Sequence, residues 1–155
     1  MQIDYVKLIV SIVICLLMGF IAGMSTSKSI DSWYSKIKKP SFNPPNWIFG
    51  PVWTILYVLM GISLYLMWTS KIDNRLAIMF FVIQLVLNFL WSYLFFSMHN
   101  PLLAFIDIAL LWIMIILTMI YAYPVSQTAS LLMIPYILWV TFASILNLSI
   151  YLLNK

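Results

Sequence analysis

Glutamate is absent from this chain, and charge of either sign is scarce: only 8% of its 155 residues are charged, against about 25% in soluble domains. A chain that is 65% hydrophobic and so poor in charge has too little polar surface to face water, which leaves membrane proteins as its class. Cys15 is the only cysteine, so an internal disulfide is excluded. His99 is the only histidine, and together with Cys15 it falls short of a His/Cys metal centre. The only acids are Asp4, Asp31, Asp73 and Asp107, and no nucleophile–base pair stands out among them. The basic residues lie in loops and at chain ends rather than along one stripe. They are topology signals, not a nucleic-acid surface. The chain has no fixed-period repeat, and nothing in it calls for a cofactor.

What the chain has in abundance is long apolar runs. Crossing the hydrocarbon takes about 20 mostly apolar residues. Five stretches qualify, from about Leu8 to Met24, Trp47 to Trp68, Leu76 to Met98, Leu102 to Tyr123 and Leu131 to Leu153. Each is too long and too uniformly apolar for a barrel strand, so the spans are helices. The fold class is therefore an all-α membrane protein, a bundle of five transmembrane helices forming one domain over residues 1–155. The first run has no A-x-A-like cleavage site after it and is read as a retained helix. Five spans put the termini on opposite sides. Lys7, Lys71 and Arg75 then face Lys28, Lys36, Lys38, Lys39 and Lys155 across the bilayer, and the positive-inside rule places the first loop and the C-terminus in the cytoplasm. That first loop, residues 25–46, is the one long connection. Pro40, Pro44 and Pro45 hold it extended, and aromatics such as Trp33 and Tyr34 suit an ordered lid packed on the bundle.

Aromatics are the second excess. Residues four apart share a helix face, so Trp53, Tyr57, Gly61 and Tyr65 make one stripe on the second span. Gly61 leaves a gap between rings that suits either a neighbouring helix or a flat ligand. Asn88, Trp91 and Phe95 share a face of the third span, and Trp139, Phe142, Ala143 and Leu146 repeat the pattern on the fifth. Three such faces turned inward make a pocket with aromatic walls and a few polar contacts, the usual form of a small-molecule site. Gln84 and Asn88, four apart, serve either as ligand contacts or as hydrogen-bonding glue between helices. Asn147 reads as glue. Asp107, about one turn into the fourth helix, reads as structural, because the helix dipole favours it there.

These residues are also a set of motifs. Trp33-Tyr34, Lys39-Pro40-Ser41, Pro44-Pro45-x-Trp47 and Phe49-Gly50-Pro51-Val52-Trp53-Thr54-x-Leu56-Tyr57 come first. Met60-Gly61, Tyr65, Gln84-x-x-Leu87-Asn88-x-x-Trp91, Phe95-Phe96 and Asp107 follow. Pro135-Tyr136-x-x-Trp139-x-x-Phe142-Ala143-x-x-Leu146-Asn147 closes the series. In this order the chain resembles the TspO/translocator protein family, also called tryptophan-rich sensory proteins or peripheral benzodiazepine receptors. The resemblance implies five transmembrane helices, often paired in a homodimer. It also implies hydrophobic ligands: porphyrins, notably protoporphyrin IX; sterols; and benzodiazepine- and isoquinoline-type compounds.

The expected function is thus an integral membrane receptor for a flat, porphyrin-like molecule. The ligand would lie among helices one, two, three and five, with Trp53 and Trp139 as facing walls. Tyr34, Tyr57, Gln84, Asn88, Trp91, Phe95, Phe142, Ala143 and Leu146 would surround it. The resemblance implies two alternatives. One is light-dependent breakdown of the porphyrin, in which Trp53 and Trp139 would be the catalytic residues. The other is transport of a tetrapyrrole or sterol. Two positions depart from the family. Phe42 stands where many members carry Trp. Leu148 and Leu152 stand where animal members carry the Tyr and Arg of a sterol motif, which argues against a sterol role.

Overall fold

The computed structural model describes residues 3–155, which form helices joined by turns and short loops. Helix α1 is Tyr5–Ser29 and runs on into a π-helical turn over Ile30–Tyr34. Helix α2 is Asn46–Trp68. Helix α3 is Arg75–Ser92 and ends in a second π-helical turn over Tyr93–Ser97. Helix α4 is Pro101–Ala122, and the fifth span comes in two pieces, α5 at Gln127–Leu131 and α6 at Ile134–Asn154. Among the described residues, five helical stretches are long and apolar enough to cross a bilayer: Tyr5–Tyr34, Asn46–Trp68, Arg75–Ser97, Pro101–Ala122 and Gln127–Asn154. The protein is an integral, multi-pass membrane protein built as a five-helix bundle.

Local chemistry sets the helix ends. Asp4 caps α1 by accepting from Lys7 N at 3.1 Å, and Asn100 caps α4 by accepting from Leu103 N at 3.0 Å. Pro101 takes the first turn of α4, where its missing N–H costs nothing. The turn before it is tight enough to put His99 in the left-handed region, at φ 53°. At the opposite face, Arg75 hydrogen-bonds Asp73 at 3.1 Å and holds that exposed carboxyl below its ordinary pKa.

The first span is longer than its sequence suggests. The polar run from Ser25 to Ser29 looks like a helix end, yet its hydroxyls bond carbonyls of the same helix or, at Ser29, of the neighbouring π-helical turn. Ser27 Oγ donates to Met24 O at 3.1 Å, Ser32 Oγ donates to Lys28 O at 3.1 Å, and Ser29 Oγ donates to Phe96 O. Such local bonding lets short polar side chains stay helical inside a membrane. The first loop shrinks to residues 35–45 in consequence. It is tied down by side chains. Lys38 N donates to Asn154 Oδ1 at 3.0 Å and Asn154 Nδ2 returns a bond to Lys38 O at 2.8 Å. Lys39 Nζ donates to Tyr34 O at 2.6 Å and lies 4.9 Å over the Tyr34 ring.

Around the bundle, α1 packs between α2 and α3, α3 packs on α4, and α4 packs on α6. Helix α2 is tied to the start of the fifth span by Ser63 Oγ, which donates to Ala129 O at 2.8 Å. Helices α1 and α2 approach closely where Gly61 faces the backbone of Ile12. The gap that Gly61 leaves among its neighbouring rings is therefore filled by a helix and not by a ligand. Beyond that crossing α2 and α6 stay apart and meet chiefly through aromatic rings, which leaves space inside.

Candidate ligand cavity

That space is a cavity of about 600 Å³, within the roughly 300–1,000 Å³ of small-molecule sites. Helices α1, α2, α3 and α6 and both π-helical turns contribute to its lining, and α4 does not. The two π turns lie against each other. They bring the ring of Tyr34 to 6.2 Å from Phe95 and 5.7 Å from Phe96, and so bound the cavity at the first-loop end. A π turn adds a residue to the helical repeat and re-aims the side chains that follow, which is why such turns recur at functional sites.

Trp91 forms the α3 wall. It stacks on Phe95 with ring centroids 5.5 Å apart, and its Nε1 donates to Asn147 Oδ1 at 2.9 Å. Asn147 Nδ2 donates in turn to Pro101 O at 2.7 Å, so this side chain joins three helices. Trp53, Trp139 and Phe142 form the wall between α2 and α6. Trp139 lies 5.4 Å from Phe142 and 6.1 Å from Phe49. Contrary to the expectation of facing walls, Trp53 and Trp139 do not oppose each other across the void. They meet edge to face, with centroids 6.5 Å apart and planes at 90°. Edge-to-face contact is the favoured pairing of two aromatic quadrupoles. It makes the indoles one corner of the cavity, not two opposite walls. Phe42 of the 35–45 loop rests 6.3 Å from Phe142, and Asn43 Oδ1 accepts from the Tyr34 hydroxyl at 2.7 Å.

The floor is Tyr57, held from behind by a buried hydrogen-bond chain. Tyr57 OH donates to Asn88 Oδ1 at 2.7 Å, Asn88 Nδ2 donates to Tyr136 OH at 2.6 Å, and Tyr136 OH donates to Gln84 Oε1 at 2.7 Å. Gln84 and Asn88 therefore stand behind the cavity and not in its lining. Their expected role as direct contacts gives way to fixing Tyr57, at about 0.5–1.5 kcal/mol per bond. Two tyrosines occupy both polar atoms of the Asn88 amide, and Gln84 accepts from Tyr136 through Oε1. Asp107 is buried in α4, away from the lining.

Tyr34, Trp53, Tyr57, Trp91, Phe95, Trp139, Phe142, Ala143 and Leu146 all line the cavity. Helix α1 carries no aromatic stripe to mark a wall, yet Leu16, Gly19, Gly23 and Thr26 border the same space. A Cβ on Gly19 would collide with the Tyr57 ring, and only glycine lets that ring lie against α1. The available signal was the four-residue spacing of Gly19, Gly23 and Ser27. Chemically, the site is an apolar, aromatic-walled chamber with a few amide and hydroxyl groups, among them Asn46, Thr54 and Asn147.

A model of the TspO/MBR family matches residues 11–153. The chain is similar to the tryptophan-rich protein TspO of Archaeoglobus fulgidus, with 50% identity covering 97% of this chain and 99% of that protein. Its identity to the protein of the same name from Chlorobaculum tepidum is 46%, over 91% of each chain. Its identity to the human translocator protein is 35%, over 77% of this chain and 73% of that one.

Proposed function

The chain belongs to the TspO/MBR family, and from that premise we propose that it is a membrane receptor for a flat hydrophobic molecule, a porphyrin such as protoporphyrin IX first of all. Benzodiazepine- and isoquinoline-type compounds share the same flat aromatic character. The observation that supports this reading is the cavity itself: about 600 Å³ bounded by Tyr34, Trp53, Tyr57, Trp91, Phe95 and Trp139, at membrane depth. A planar macrocycle gains from ring contacts at about 0.5–1.5 kcal/mol each beyond area burial. Phe142, Ala143 and Leu146 complete the wall on α6, and the Asn88–Gln84 chain keeps Tyr57 in place beneath. Tyr34, Phe42 and the loop behind them would close the mouth over the ligand.

Titration with protoporphyrin IX while following tryptophan emission tests the proposal. Saturable quenching is expected. Trp53→Phe and Trp139→Phe should each reduce its amplitude and weaken binding by roughly three- to tenfold, the size of one good ring contact. Full emission at saturating porphyrin, or quenching unchanged from wild type in both variants, would contradict it.

A further inference from the structure

His99 holds a backbone conformation that glycine normally takes. It is the one non-glycine residue among those described with a positive φ. It follows the π-helical turn Tyr93–Ser97, and Asn100 N donates back across it to Leu94 O at 3.1 Å. Helices commonly end by closing around a left-handed residue in this way, and glycine is the usual choice because a Cβ is strained there. A side chain kept at a strained position points to a use for it. The His99 ring makes two contacts with the first span. It stacks on the indole of Trp33, with centroids 4.6 Å apart and planes at 15°. Its Nε2 lies 3.3 Å from Ser29 Oγ. Ser29 has one hydroxyl proton and gives it to Phe96 O, so Oγ accepts here and the ring N–H donates. Trp33 is thereby held between His99 and Phe95, whose ring meets it edge-on at 5.5 Å. The next residue, Tyr34, lines the cavity and ties down the 35–45 loop through Asn43 and Lys39. His99 itself does not border the cavity.

We propose that the His99–Trp33 stack is the latch of a gate at the first-loop end of the chamber. Opening it frees the π turn Ile30–Tyr34 to swing out with the 35–45 loop. Closing it re-forms the stack and the bond to Ser29. Because His99 lies outside the lining, it steadies the closed chamber equally whether that chamber is empty or full. Its loss must then speed entry and exit together and leave their ratio, the affinity, unchanged. A residue that contacts the ligand would change the affinity instead. That a porphyrin passes this gate rests on the receptor reading; the latch itself does not.

His99→Gly tests this in the full-length protein in phospholipid nanodiscs. Glycine takes the left-handed backbone without strain, so the turn stays and only the ring contacts go. The first readout needs no ligand. Ala143→Cys, in a Cys15→Ser background, is labelled by a charged methanethiosulfonate reagent, which enters from water and not through lipid. Adding His99→Gly should speed that labelling about tenfold, the upper end for one ring contact. The second readout is stopped-flow quenching by protoporphyrin IX in the otherwise native chain. Entry and exit should each be about tenfold faster, with a dissociation constant within about twofold of wild type. Labelling at the wild-type rate would overturn the latch, and so would affinity lost with the entry rate unchanged. Faster labelling in a protein that takes no porphyrin sinks the receptor reading alone. Unchanged labelling with intact porphyrin binding sinks the latch alone.

Discussion

Ala143→Trp is expected to weaken protoporphyrin IX binding by about a hundredfold, or ~2.8 kcal/mol, while the bundle stays folded. Ala143 is buried on α6 and borders the cavity between Trp139, Phe142 and Leu146. Its small side chain is the reason that this part of α6 leaves free space. An indole there has room to extend into the void, so the packed contacts of the bundle need not change. It then occupies volume that a macrocycle needs. The ligand must expel the new ring or bind elsewhere, and either outcome forfeits most of the ring contacts at once. Fluorescence titration measures the loss, and far-ultraviolet circular dichroism checks that the helices remain. Unchanged affinity in a folded variant would mean that porphyrin does not use this cavity.

Gly61→Ala tests the crossing of α1 and α2 and is expected to destabilise the bundle by about 2–3 kcal/mol, the upper range for overpacking. One methyl group suffices because of where it lands. A Cβ on Gly61 would lie 2.5 Å from Ile12 Cα and 3.0 Å from Ile12 N. Those are backbone atoms, and no rotamer change relieves the clash. Helix α1 must move away from α2 as a body, and the Asp4 N to Tyr65 OH bond of 3.2 Å lies along the same contact. Thermal or detergent-induced unfolding reads the change directly. Gly50→Ala is the matched control, because nothing lies within 4 Å of a Cβ there. Equal stability of the two variants would show that α1 and α2 do not cross as described.

The five spans were legible in the sequence because length and hydropathy alone decide what crosses a bilayer. The end of α1 was not. Ser25 to Ser29 carry the composition of a loop, yet the helix runs through them, with hydroxyls bonded to carbonyls one turn back or to Phe96 O. The cavity walls on α2, α3 and α6 were legible because aromatic residues three and four apart mark a shared face. The α1 wall is made by what is missing from it. Glycine leaves no pattern of rings to notice, and its purpose at position 19 shows only once Tyr57 lies against it. Gln84 and Asn88 had the right depth and face, but whether an inward amide meets a ligand or a neighbouring tyrosine depends on the partner helix. Tyr136, which takes that place, is two turns of chain and a whole helix away in sequence. The edge-to-face meeting of Trp53 and Trp139 likewise depends on how α2 and α6 are held apart, which neither helix encodes alone.

The central claim is that indoles from separate spans enclose one chamber that takes a planar lipophilic molecule. Its most direct test is an experimental structure of the protein saturated with protoporphyrin IX. The macrocycle should lie between α1, α2, α3 and α6, against Trp53, Trp91 and Trp139, with Ala143 at its edge and α4 untouched. Porphyrin found only on the lipid-facing surface or on the 35–45 loop, with the chamber empty, would contradict the account.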